Sequence, residues 1–244
     1  MKIDLDEALT QLEQMRLLDS DEGVANALLR VAVAYLERGK ANLAAEPLEE
    51  AYHYCQRLDN DLGRAHVCLR LAQVSQALGG LDQAEARLRE ALEVFEAQGQ
   101  LNGRVSALEH LAEVLDAAGR PDQAALCLDQ ALELARQAGD RVAQVLLGQY
   151  LAPVLRRLGR LGEALDAYLA LGQGAQELGD KQRVALALVG AGTVQHQMGQ
   201  TGAGLKNLAQ ARDLYKELGQ LQRAQQVGLE MQRFTADPGQ GDAD

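Results

Sequence analysis

Apolar residues recur along this chain at intervals of three and four, in helix-length runs separated by short breaks, and the pattern returns every forty residues. Residues 71–91, LAQVSQALGGLDQAEARLREA, hold the plainest copy: an apolar-periodic run, a Gly-Gly break and a second apolar-periodic run. The break falls at Gly39, Gly79, Gly119, Gly159 and Gly199, with Ala44, Ala84, Ala124, Ala164 and Gly204 five residues on. A second break stands at Gly99, Gly139, Gly179 and Gly219, with Asp59 in the matching place. Glycine just past a helical run suits the left-handed residue that ends a helix. A fixed period of this size is the mark of a solenoid, in which each unit buries its apolar face only against its neighbours. The expected fold is therefore all-α, an α-solenoid of antiparallel helix pairs.

In chain order, 3–18 reads as a capping helix, the second half of a truncated repeat, and Asp19-Ser20-Asp21 as a turn with N-cap chemistry. Five units follow, near 22–58, 62–98, 102–138, 142–178 and 182–218. Their first helices are expected at 22–38, 62–78, 102–118, 142–158 and 182–198. The second are expected at 41–58, 81–98, 121–138, 161–178 and 201–218. Pro121 opens a second helix, where a missing N–H costs nothing. Pro153 falls inside a first helix and is expected to kink it. The end of the array is rich in glycine, at Gly172, Gly174, Gly190, Gly192, Gly202 and Gly204, which predicts a softer end because each interior Gly costs roughly 1 kcal/mol relative to Ala. A closing helix is expected at 222–234, making 1–234 one array, and 235–244 (TADPGQGDAD) reads as a disordered acidic tail.

Composition narrows the chemistry. Hydrophobic residues make up 47% of the 244, yet there is no Trp and only 2 Phe and 6 Tyr, so the core must be Leu, Ala and Val. A net charge of -11 disfavours phosphate backbones, so nucleic acid is not an expected partner. Cys55, Cys68 and Cys127 lie in helical runs without framework spacing and read as buried hydrophobes in a reducing compartment. The first residues lack the apolar stretch of a signal peptide, and no run is long enough to span a bilayer. A cytoplasmic location follows. Arg outnumbers Lys, which points to a GC-rich bacterial source.

The spacing of Leu71, Ala72, Gly79, Ala84, Leu88 and Ala91 resembles that of the tetratricopeptide repeat. Leu111, Ala112, Gly119, Ala124, Leu128 and Ala131 keep the same frame, as do Leu151, Ala152, Gly159 and Ala164, and more loosely Ala191, Gly192, Gly199 and Ala211. A period of forty looks like the long-repeat variant of that family. The frame departs from the family's usual rings at Cys68, Ser75 and Leu88, and from its proline at Glu96.

The resemblance implies a concave groove lined by the first helices, holding a peptide or helix of a partner protein. Its groove positions fall on Asn26, Leu29, Val33 and Leu36, then on His66, Leu69, Gln73 and Gln76. An acidic set follows at Ser106, Glu109, Glu113 and Asp116, then Leu146, Gln149, Pro153, Arg156 and Arg157, and finally Leu186, Val189, Thr193 and His196. The Lys and Asn pairs with which chaperone-binding members grip a carboxylate are not at these places.

Other chemistry finds little support in the residues. His53, Cys55, His66 and Cys68 form two His-x-Cys pairs, but residues two apart on a helix diverge, and zinc needs four converging ligands. In GQTGAGLKN, Leu205 separates the Gly-Lys pair that a phosphate loop requires. His110 stands alone, and no Ser or Cys has a visible His and acid partner. The expected function is a non-enzymatic adaptor without cofactor or metal, binding another protein in its groove. The alternatives are a self-associating array and a ligand-sensing regulatory module.

Overall fold

The structure is a computed structural model and describes residues 3–236. Twelve α-helices and no strand occur among these residues. They are α1 (Leu5–Leu17), α2 (Asp21–Glu37), α3 (Ala41–Arg57), α4 (Asp61–Ala77), α5 (Leu81–Ala97) and α6 (Leu101–Ala117). They continue with α7 (Pro121–Gln137), α8 (Arg141–Arg157), α9 (Leu161–Glu177), α10 (Lys181–Gln197), α11 (Thr201–Glu217) and α12 (Leu221–Ala236). Helices α2, α4, α6, α8 and α10 are the first helices of five pairs. Helices α3, α5, α7, α9 and α11 are the second. Helix α1 keeps the second-helix register, and α12, forty residues after α10, keeps that of a first helix.

The links explain why the period is so strict. Gly39, Gly79, Gly99 and their six counterparts all adopt positive φ, and Asp19 and Asp59 do the same at 53° and 50°. Aspartate is among the few residues that tolerate this region as single residues. At each link the chain closes a Schellman turn, as where the Lys40 N–H donates to the Tyr35 carbonyl at 2.9 Å and Gly39 N–H to Leu36 at 2.9 Å. Side-chain caps then start most first helices. Ser20, Asn60, Asp140 and Asp180 each accept from a backbone amide three residues on. Such a cap stabilises a helix by about 1 kcal/mol. Because residues 20, 60, 140 and 180 are caps, these first helices begin one residue earlier than the pattern suggested.

The C-terminal helix and the prolines complete the picture. Helix α12 runs to Ala236, so Thr235 and Ala236 are helical rather than tail, and Thr235 Oγ1 donates to the Gln232 carbonyl at 2.8 Å. The remainder of the predicted tail, 237–244, lies outside the described residues. Helix α8 continues through Pro153, as α3 continues through Pro47, each losing one backbone bond without ending.

The chain packs as two units, unit 1 ending at Cys127 and unit 2 beginning at Leu128, within α7. Each is an all-α solenoid of antiparallel helix pairs. In unit 1 the helices pack in sequence from α1 to α6, and α4 also touches both α2 and α6. Its seams are small: Ala44, Leu48 and Ala51 on α3 and Ala84, Leu88, Ala91 and Phe95 on α5 are fully buried. Cys55 and Cys68 join this core, while Cys127 is half-buried. In unit 2, α8 to α12 pack in sequence and α8 touches α10. Here glycines carry part of the seam. A Cβ at Gly192 would lie 2.8 Å from the Gly204 carbonyl oxygen, and one at Gly204 would lie 2.6 Å from that of Gly192. The two backbones therefore meet directly, and this part of the expected soft end is a close contact.

Candidate functional site

Successive first helices touch one another in both units, so their outward positions form a shared face. In unit 1 this face begins with Leu29 and Leu36, half-buried against the core of α2 and α3, beside half-buried Val33 and exposed Asn26. On α4, Leu69 packs against the cluster around Phe95, and the His66 ring meets Phe95 edge-on with centroids 5.2 Å apart. Burial holds the His66 pKa below its ordinary value, with Arg70 adding to the effect. Gln76 is half-buried one turn beyond Gln73.

A polar relay crosses from α4 to α6. Arg70 Nη1 donates to Gln73 Oε1 at 2.9 Å, which leaves the Gln73 amide nitrogen, 3.1 Å from His110 Nε2, to donate. His110 Nε2 must then accept, which assigns its proton to Nδ1. That nitrogen is buried without a hydrogen-bond partner, 3.6 Å from Glu113 Oε2. Glu109, one turn earlier, has no hydrogen bond or ion pair among the described residues. Burial and the neighbouring Glu113 raise its carboxyl pKa, with His110 opposing. Glu109, Glu113 and Asp116 lie half-buried along this one helix.

In unit 2 the face opens into a groove of about 560 Å³ between α8, α10 and α12. Leu186, Val189 and Val227 supply its apolar lining, and Gln149, Arg183, Arg223 and Glu230 its polar groups. Asp180 caps α10 by accepting from the Arg183 amide at 2.9 Å and also holds the Arg183 guanidinium. These bonds keep the Asp180 carboxyl below its ordinary pKa, the backbone one most, against its desolvation. Arg183 Nε donates to Gln149 Oε1 at 3.1 Å. A guanidinium has five N–H donors, so a braced Arg183 still has donors to offer. Thr193 Oγ1 lies 2.9 Å from both the Val189 carbonyl and Glu230 Oε1, which compete for its one proton.

The structure thus brings Gln149, Leu186 and Val189 together and sets Thr193 beside them. It turns His196 elsewhere: its ring stacks on Phe234 at 3.8 Å between centroids, and Nδ1 lies 3.0 Å from Thr201 Oγ1. Arg156 lies near the buried Tyr168, whose pKa burial raises with Arg156 opposing. Arg157 is exposed and Pro153 half-buried on the same helix. Among the groove residues missed from sequence are Arg183, Arg223, Glu230 and Val227. Three of them belong to α12, whose forty-residue register with α10 was the available signal.

Elsewhere, His53 is exposed and 3.4 Å from Gln56, while Cys55 and Cys68 are buried. Among the described residues, no three His, Cys, Asp or Glu side chains are placed to hold a metal ion. No helix there is long and apolar enough to cross a membrane. Gly199 to Asn207 is a link followed by the start of α11, with no strand before it.

Comparison with known proteins agrees with this architecture. Residues 61–137 match the tetratricopeptide repeat family. No curated protein matches the chain. Among solved structures, BtubC (BKLC) from P. vanneervenii is 15% identical, with 88% of this chain aligned to 91% of that one at a TM-score of 0.78. A Rap protein complexed with competence and sporulation factor is 12% identical, covering 96% and 70% of the two chains at a TM-score of 0.66. YrrB, described as a TPR protein with an unusual peptide-binding site, is 19% identical, covering 87% and 97% at a TM-score of 0.60. At such identities these likenesses speak to fold. Together with the helix pairs above, they show tetratricopeptide repeats over residues 61–137, within a chain that has the fold of such repeat arrays.

Proposed function

We propose that this protein is a non-enzymatic adaptor that binds a peptide or helix of a partner protein on the faces of its first helices. The observation that carries the reading is the unit 2 groove, where an apolar strip of Leu186, Val189 and Val227 lies between Arg183, Arg223 and Glu230. Binding sites of this kind combine an apolar lining with a few fixed polar groups. The Rap protein and YrrB, both of this fold, are described as complexed with competence and sporulation factor and as having an unusual peptide-binding site. The partner segment would set an apolar side chain on Leu186 and Val189 and a carboxylate near Arg183. In unit 1 it would set apolar residues near Leu29, Val33 and Leu36, and a basic residue near Glu109, Glu113 and Asp116.

A net charge of -11 supports a protein partner over nucleic acid, the excess of Arg over Lys supports a bacterial source, and the three free cysteines fit a reducing, cytoplasmic setting. The test places a photo-cross-linking residue at Leu186 and, as control, at Glu93 on the exposed side of α5. A partner captured at Leu186 alone is then titrated against Leu186→Glu. The expected loss is at least tenfold in Kd, about 1.4 kcal/mol. Unchanged affinity in a folded variant refutes the site.

One observation favours a second reading, self-association. The outer groove of α11 and α12, about 690 Å³, leaves Leu221 68% and Leu229 51% exposed. Sedimentation across a concentration series decides it, since a strict monomer at high concentration excludes that reading.

A further inference from the structure

One place in the repeat frame is filled in unit 1 and empty in unit 2. In unit 1, between α3 and α5 and over α4, polar side chains interlock. Tyr52 donates its hydroxyl to Glu90 Oε1 at 2.7 Å, and the Arg87 guanidinium lies over the Tyr52 ring, 4.6 Å from its centroid. Arg87 Nη2 also pairs with Glu49 at 3.1 Å, and its Nη1 reaches Glu90 at 3.4 Å. Arg64 Nε approaches Glu90 from α4 at 3.4 Å.

Eighty residues on, the same register positions carry much smaller groups. Leu132 stands for Tyr52, Gln144 for Arg64, Ala167 for Arg87, Ala170 for Glu90 and Gly148 for Cys68. What remains between α7 and α9 is a groove of about 480 Å³, with an apolar floor that includes Val145, Leu151 and Leu171. One member of the set persists. Asp129, on the groove's lining, occupies the place of Glu49, but the arginine that Glu49 pairs with has become Ala167. Asp129 consequently has no hydrogen bond or ion pair among the described residues. The nearby guanidiniums have other carboxylates, Arg160 being held by Glu163 and Arg136 lying 3.7 Å from Glu133. They reach Asp129 only through space, and although Asp129 is exposed at the groove's rim, partial desolvation outweighs them and leaves its carboxyl above the ordinary pKa.

We propose that this groove is a docking site for an arginine side chain of a partner polypeptide. The guanidinium sits on Asp129 as Arg87 sits on Glu49, and the stem lies against Leu132 and Ala167. Arginine fits better than lysine because the chain's own filled copy uses a planar guanidinium, both stacked and paired, which an ammonium cannot reproduce. The volume exceeds one such side chain, so an apolar neighbour of the arginine seats over Gly148 and Gly174. The site lies among α7, α8 and α9 and does not depend on the groove between α8, α10 and α12.

The test titrates the full chain with N-acetyl-Leu-Arg-amide, and with N-acetyl-Leu-citrulline-amide as the neutral isostere, while following the methyl resonances of Leu132, Val145 and Leu171. Saturable shifts with the arginine dipeptide are expected, absent with citrulline and at least fivefold weaker in Asp129→Asn. A second variant restores the unit 1 set with Leu132→Tyr, Ala167→Arg and Ala170→Glu, and should abolish the shifts while raising Tm. If that triple variant fails to fold by circular dichroism, Asp129→Asn decides alone. No saturable shift, equal shifts with citrulline, or shifts indifferent to Asp129→Asn would each overturn the proposal.

Discussion

Phe95 in unit 1 and Tyr168 in unit 2 are both buried rings on second helices, and each lies against a glycine of the next first helix. Gly103 faces Phe95 and Gly190 faces Tyr168 so closely that a Cβ at either would clash with the ring. Beyond this shared device the units diverge. Where unit 1 seams its pairs with Ala32 and Ala44, and with Ala72 and Ala84, the last pair of unit 2 has Gly192 and Gly204. Where unit 1 fills the space over α4 with Tyr52, Arg87 and Glu90, unit 2 leaves a groove. Small residues therefore act in two ways within one frame. At the α10–α11 seam they draw helices together, and over α8 they hollow a surface out.

The largest expected effect is at the ring that both units need. Phe95 is fully buried, so Phe95→Ala should cost about 3–5 kcal/mol, read as a lower urea midpoint. A loss under 1 kcal/mol would mean that the glycine opposite collapses into the space. Next comes the seam. Gly192→Ala adds a methyl 2.8 Å from a carbonyl oxygen that cannot turn aside. Overpacking of about 1–3 kcal/mol should outweigh the roughly 1 kcal/mol gained in helix propensity. Gly202 supplies the contrast, because a Cβ there meets nothing within 4 Å. Gly202→Ala should therefore stabilise by roughly 0.5–1 kcal/mol. If both substitutions stabilise, the seam is loose and the two units pack alike.

The helix pairs were legible because one residue per link decides where a helix ends, and glycine at that place is visible without any structure. Asp59 could be read into the same slot for the same reason. That Gln149, Leu186 and Val189 share one face was legible because position within a first helix fixes the direction of a side chain. Arg183 was not, since it sits in the first turn, where a charge reads as helix-end chemistry. Arg223 and Glu230 were missed because α12 was taken for a lid rather than for a first helix with its own face. The stacking of His196 on Phe234 joins residues on different helices through ring shape, which no periodicity carries. Propensity counts what a helix loses by Gly192 but is blind to the backbone that approaches it.

The smallest effects are electrostatic, and they should have opposite signs in the two units. In unit 1, Arg120 and Arg89 hydrogen-bond to Glu85 and hold its carboxyl below the ordinary range, against its desolvation. A lowered folded pKa contributes stability above the unfolded value, ~4.3, that is lost as pH falls through the folded one. Glu85→Gln should then lower the urea midpoint at pH ~7, and the difference should fade as the solution is acidified below pH ~4. In unit 2, partial desolvation leaves the carboxyl of the exposed Asp129 raised. A raised carboxyl costs stability at every pH above its folded value, and the cost is relieved as pH falls toward the unfolded value, ~3.9. Asp129→Asn should raise the midpoint at pH ~7 and lose that gain on acidification. Both variants shifting the midpoint the same way would mean that Asp129 already has a partner in solution, and the contrast between a filled and an unfilled site would fail at its most sensitive point.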